Sequence, residues 1–236
     1  MVTRAESAAV TRRALLDAAA ELLDIGGAEA VTLREVGARA GVSRGAPYRH
    51  FTGKDSLLTV IATESWERIG DQVHALRTDQ TLAASDKLRG ALRTLIGVGR
   101  EQPHLYQMLF RRRGHRPEDL GEGLDRVRRR MCAPGDGSGG EAGGEAGNGP
   151  GSDSGGDPVA DRLRAAGRFQ DEFLAIVADV VGERNARHYG ALLLTSAHGI
   201  ADMELTGHLG AGKMRTTSDE LVDTLVRMVT DAGEPT

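Results

Sequence analysis

Two short apolar patterns of helical period, parted by Gly41-Val42-Ser43, restrict this chain more than anything else in it. Ahead of the break, Thr32 and Glu35 stand three apart, the spacing at which a hydroxyl and a carboxylate reciprocally satisfy the free amides of a starting helix. Leu33, Val36, Gly37 and Ala40 then fall at i, i+3, i+4 and i+7, one apolar stripe with a glycine that lets another helix approach. Gly41 supplies the left-handed residue that ends a helix, Val42 tucks beneath the turn, and Ser43 is a good N-cap for the next. Counted from Ser43, Pro47 is the fourth helical residue, where only the first hydrogen bond is lost, so a slightly strained second helix is expected. The pattern is helix, short turn, helix.

Charge points the same way. From Val36 to Lys54 there is no Asp or Glu, while Arg39, Arg44, Arg49, His50 and Lys54 are present, in a chain of formal net charge −4. A cationic stretch on an acidic protein is what phosphate binding needs. On charge alone a solvated helix face would look the same.

The run from Arg12 to Leu58, with TLREVGARAGVSRGAPYRHFTGKDSLL at its heart and its Tyr-x-His-Phe-x-x-Lys segment, resembles the N-terminal DNA-binding domain of the TetR family of bacterial transcription regulators. The resemblance implies an all-helical homodimeric repressor whose second motif helix enters the DNA major groove. Chemistry assigns residue roles beside it. Arg44, Gly45, Ala46 and Pro47 occupy the first turn of the recognition helix, which meets base edges in this kind of docking. Arg44 would read guanine through its fork, and Ala46 or Pro47 would contact a thymine methyl. Tyr48 and His50 would reach phosphates, as would Thr32 at one helix start and Lys54 at the next. Phe51 is expected in the core.

With 236 residues the chain has room for one small and one larger domain. Aromatics make up 3% of it, so Leu, Val, Ala and Ile must build the core, and the Ala-rich, strand-poor composition favours packed helices. The expected fold is all-α: a flexible arm over 1–9, a three-helix helix-turn-helix domain over 10–56, and a helical regulatory and dimerisation domain over 57–236. The first helix should run from about Val10 to Ile25 and stop at Gly26-Gly27, and a long fourth from Lys54 to about Leu76. A fifth should span Ala84 to Arg100, with a sixth starting at Pro103. The Gly-rich stretch 133–156 holds no Lys or Arg and is expected to be a disordered insertion. Asp157-Pro158 restarts the helices, and Thr217 with Glu220 makes a second capping box before the last. The long helix, proline break and HLYQMLF segment resemble the C-terminal type called WHG in this family, as does His198-Gly199, although the tryptophan expected nearby is missing.

Two closing helices with apolar faces suit isologous pairing with a second copy. Trp66, Tyr106, Met108, Phe110, Phe173, His198 and Met203 are the candidate pocket residues for a small hydrophobic or amphipathic effector. The basic runs Arg111 to Arg113 and Arg128 to Arg130 suit a solvated face or an anionic ligand. A lone Cys132 excludes an internal disulfide framework, and neither a signal peptide nor a membrane-spanning run is present, so a cytoplasmic protein is expected, nucleoid-associated when bound to its operator. The seven His lack HxxxH or Cys partners, and neither a nucleophile elbow nor a dinucleotide fingerprint appears, so no metal, cofactor or enzymatic role is expected. A helical protein-binding adaptor would account for the body but not for the acid-free Arg/His segment.

Overall fold

The computed structural model describes residues 3–110, 157–210 and 214–233; the two arginine runs, Cys132 and the Gly-rich stretch expected at 133–156 lie outside the described residues. Within them the chain is helical, with α1 (Arg4–Ala30), α2 (Leu33–Arg39), α3 (Ala46–His50), α4 (Lys54–Thr78), α5 (Ala84–Glu101), α6 (Pro103–Phe110), α7 (Pro158–Val181), α8 (Glu183–Leu205) and α9 (Ser218–Gly233).

The first three helices and the start of α4 form a small reading head. Leu15, Leu16, Ala19 and Leu23 of α1 are buried with Val31, Leu33 and Val36, closed by Phe51 and by Leu57, Leu58 and Ile61 of α4. Residues 4–9, expected as a loose arm, are instead the opening turns of α1. The cause is a capping box: Thr3 accepts from the Glu6 amide at 3.2 Å, and the Glu6 carboxylate accepts from the Thr3 amide at 2.6 Å. At its other end α1 bends where the two glycines were expected to stop it. Gly27 has φ +69 and ψ −170, which a side-chain-bearing residue adopts only under strain, and a last short turn reaches Ala30.

α4 has 25 residues, about 38 Å of helix, and belongs to both halves. Beyond Ile61 its buried face continues through Trp66, Ile69 and Val73 into the body. There α7 runs along it with Ala165, Phe169, Phe173, Ile176 and Val177 buried, and Gly70 lets the Phe169 backbone come close. Asp157 caps α7 as its sequence predicts, accepting from the Val159 amide at 3.0 Å. α5 buries Leu88, Ala91, Leu92, Leu95 and Ile96. α9 lays Val222, Val226 and Val229 against α5, α7 and α8, and its Thr217–Glu220 capping box is complete.

Candidate nucleic-acid interface

The turn between α2 and α3 sets the interface. Thr32 caps α2 by accepting the Glu35 amide at 3.2 Å; no return bond from the Glu35 carboxylate accompanies it among the described residues, so half of the expected box forms. The hydroxyl proton of Thr32 stays available to an outside acceptor. Gly41 takes φ +66, and Val42 donates to the Gly37 carbonyl at 3.1 Å, which closes the turn.

The recognition helix starts later than the sequence count places it. Its N-cap is Gly45, not Ser43, and the Ser43 carbonyl accepts from the Ala46 amide at 2.9 Å. Pro47 therefore lies in the first turn, where its missing amide costs no hydrogen bond and its fixed φ suits the helix. The assignment of Ala46 and Pro47 to base contact is corrected as well: both are buried. A Cβ added to Gly37 would lie 2.9 Å from Pro47 Cγ, so these two residues are where α2 and α3 cross. Sequence spacing placed them in the right turn but could not show which way they face.

What α3 and the two residues before it present outward is Arg44, Gly45, Tyr48 and Arg49, all exposed. The Arg49 guanidinium lies over Gly45, 3.9 Å from where a Cβ there would stand. Arg44 and Arg49 have no ion pair among the described residues, and neither does Arg34 in the first turn of α2, a residue the sequence reading passed over. Its signal was its place two residues after the Thr32 cap. Other cations nearby are committed internally: Arg39 holds Glu21 at 2.6 Å, Lys54 faces Glu29 at 3.8 Å, and Arg12 sits 5.2 Å from the centre of the Phe51 ring. His50 is half-buried beside Phe51, which is buried as expected.

The candidate effector residues divide. Trp66, Tyr106, Phe110 and His198 come together, with Phe110 5.0 Å from Trp66 and 4.4 Å from His198 between ring centres. Phe169, which the sequence did not single out, stacks between Trp66 at 5.4 Å and Phe173 at 6.1 Å. Tyr106 Oη and His198 Nδ1 share a hydrogen bond at 2.6 Å. Burial, helped by the charge of Asp202, pushes the Tyr106 pKa up to about 12, and burial pushes that of His198 down, so a phenol meets a neutral imidazole. Met108 and Met203 are half-buried at the edge of the same core.

Residues 15–61 match the family described as bacterial regulatory proteins, TetR family. No curated protein matches the chain. Among solved structures, the chain is similar to a protein of unknown function from Rhodococcus sp. RHA1, with TM-score 0.62 and 19% identity over 92% of this chain and 94% of that one. A bacterial regulatory protein in the TetR family from Rhodococcus RHA1 gives TM-score 0.57 at 13% identity, over 96% and 98% of the two chains. The transcriptional regulator FadR from Bacillus subtilis, in complex with stearoyl-CoA, gives 0.57 at 10% identity, over 93% and 98%. At such identities these likenesses show the fold.

Proposed function

We propose that the chain, whose residues 15–61 match the TetR family, is a transcriptional regulator: a homodimeric repressor released from a palindromic operator by a small-molecule effector. The observation that carries this reading is the outer side of the turn into α3 and of α3 itself, where Arg44 and Arg49 stand exposed and without an ion pair among the described residues, in a stretch without acids. Arg44 reads a guanine edge, Tyr48 and Arg49 engage the flanking backbone, and Arg34 with the Thr32 hydroxyl holds the phosphate beside α2.

Dimerisation uses α8 and α9. Ala191, Leu192, Thr195 and Gly199 follow one another along the exposed side of α8, with Leu192 50% exposed, and Met228 on α9 is 63% exposed beside half-buried Leu221 and Leu225. Small and apolar residues on two adjacent helices favour a self-complementary pairing, which sets two recognition helices about 34–36 Å apart. The effector is small and hydrophobic or amphipathic, and it enters at the ring group of Trp66, Phe110, Tyr106 and His198. Binding there favours a body conformation that misplaces the heads.

Selection of genomic fragments on the purified protein at moderate salt, followed by sequencing, tests the reading. A short palindrome is expected, with affinity lost in the Y48F/H50A double variant. Binding that depends on salt but not on sequence would overturn it. Release of the bound operator by apolar compounds tests the effector assignment, and a protein deaf to every compound of that class would sink it.

A further inference from the structure

One side chain of the body reaches into the reading head. His104, in the first turn of α6, places Nδ1 3.1 Å from the carbonyl oxygen of Asp24 on α1. A carbonyl only accepts, so this nitrogen carries the proton. The same ring covers Gly27, where an added Cβ would stand 3.3 Å from His104 Cδ2. Gly27 is the residue with φ +69 at which α1 leaves helical geometry, six residues before α2 begins. His104 thus grips the bend from both sides, by a hydrogen bond before it and a ring contact on it.

The helix that carries His104 is held elsewhere too. Tyr106 bonds His198 on α8, and Phe110 packs on His198 and Trp66. Between α1, α4 and α6 lies a small cleft lined by Leu16, Leu23, Ser65, Arg68, Gln102 and Leu105, beside the grip. A directed polar contact at a bend sets an angle more than it contributes stability.

Building on the operator reading above, we propose that His104 is a positioning residue for DNA binding: it fixes the bend at Asp24 to Gly27 and through it the direction in which α2 and α3 leave α1. It touches neither DNA nor the ring group. What it controls is the separation of the two recognition helices in the dimer, and so the preference for one half-site spacing.

The test compares full-length protein with H104A and H104N on the selected operator, on operators with one base pair inserted or removed at the centre, and on a single half-site. Wild-type protein is expected to discriminate sharply among the spacings. H104A should bind the preferred operator weaker by on the order of three- to tenfold, and its penalty for altered spacing should shrink, with half-site affinity unchanged. H104N restores an N–H donor at similar reach and should recover the wild-type spacing profile. G27A, which crowds the same ring, should behave as H104A does. An H104A profile identical to wild type overturns the inference, and so does a loss shared equally by half-site and every spacing, the mark of general damage. If wild-type protein itself shows no operator preference, the regulator reading has failed first, which the variants are not needed to reveal.

Discussion

Along the seams of the body, Arg77, Arg89, Arg93, Arg100 and Arg168 each meet a carboxylate of another helix: Glu172, Asp223, Asp219, Glu204 and Asp71 in turn. On the outer face of the reading head, Arg34, Arg44 and Arg49 meet none among the described residues. The same side chain therefore does two jobs. Paired, it adds modest stability and aligns helices. Unpaired and clustered, it keeps its full charge for the phosphates of the proposed operator.

The sharpest break in this comparison is R44A. If Arg44 reads a base, fluorescence anisotropy on the operator should show a loss of about 1–3 kcal/mol and relaxed preference at one base position. Affinity reduced equally for all sequences would make Arg44 a phosphate contact instead. Next comes the least exposed carboxylate of these ion pairs. Glu172 takes Arg77 through one oxygen and His74 Nδ1 at 2.9 Å through the other. Burial pushes its pKa up, but the hydrogen bonds and charges of Arg77 and His74 outweigh that and hold it below the ordinary value. A carboxylate with a lowered folded pKa stabilises fully above the unfolded value, about 4.3, and loses that contribution as pH falls through the folded value. E172Q should thus cost roughly 1 kcal/mol in chemical denaturation at neutral pH, with the gap from wild type closing in acid. A gap that stays constant down to the acid transition would mean the pair carries no net charge-dependent stability.

Smaller effects sharpen the contrast. R49A should lower the slope of log affinity against log salt by about one phosphate's worth while leaving the preferred sequence unchanged. R93A, whose guanidinium is 44% exposed beside Asp219 and Asp223, should change stability by less than about 0.5 kcal/mol and half-site affinity not at all. A DNA effect from R93A comparable to that of R49A would erase the distinction between the two regions.

What the sequence made legible follows from interactions local in the chain. The caps at Thr32, Asp157 and Thr217, the turn at Gly41 and the long α4 rest on residues within four of one another, and each was readable in advance. The Thr3–Glu6 box was equally local, and the small apolar content of the segment hid it. Facing was harder. Ala46 and Pro47 looked like reading residues because they share a turn with Arg44; both are buried, Pro47 against Gly37, ten residues away. Most distant contacts stayed invisible: Phe169 between Trp66 and Phe173, and His104 on Asp24, pair helices whose relative placement no periodicity encodes.

The crossing of Pro47 on Gly37 also bears on how such a protein changes its target. Inward positions of α3 are committed to fit, so a substitution at 37, 46 or 47 must be matched by another across the contact. Positions 44, 45, 48 and 49 are free of that obligation. On the proposed operator reading, a duplicated copy can therefore drift to a new operator through these four positions while its fold stays under the old constraints, and recognition becomes a small, separable alphabet carried on an invariant backbone.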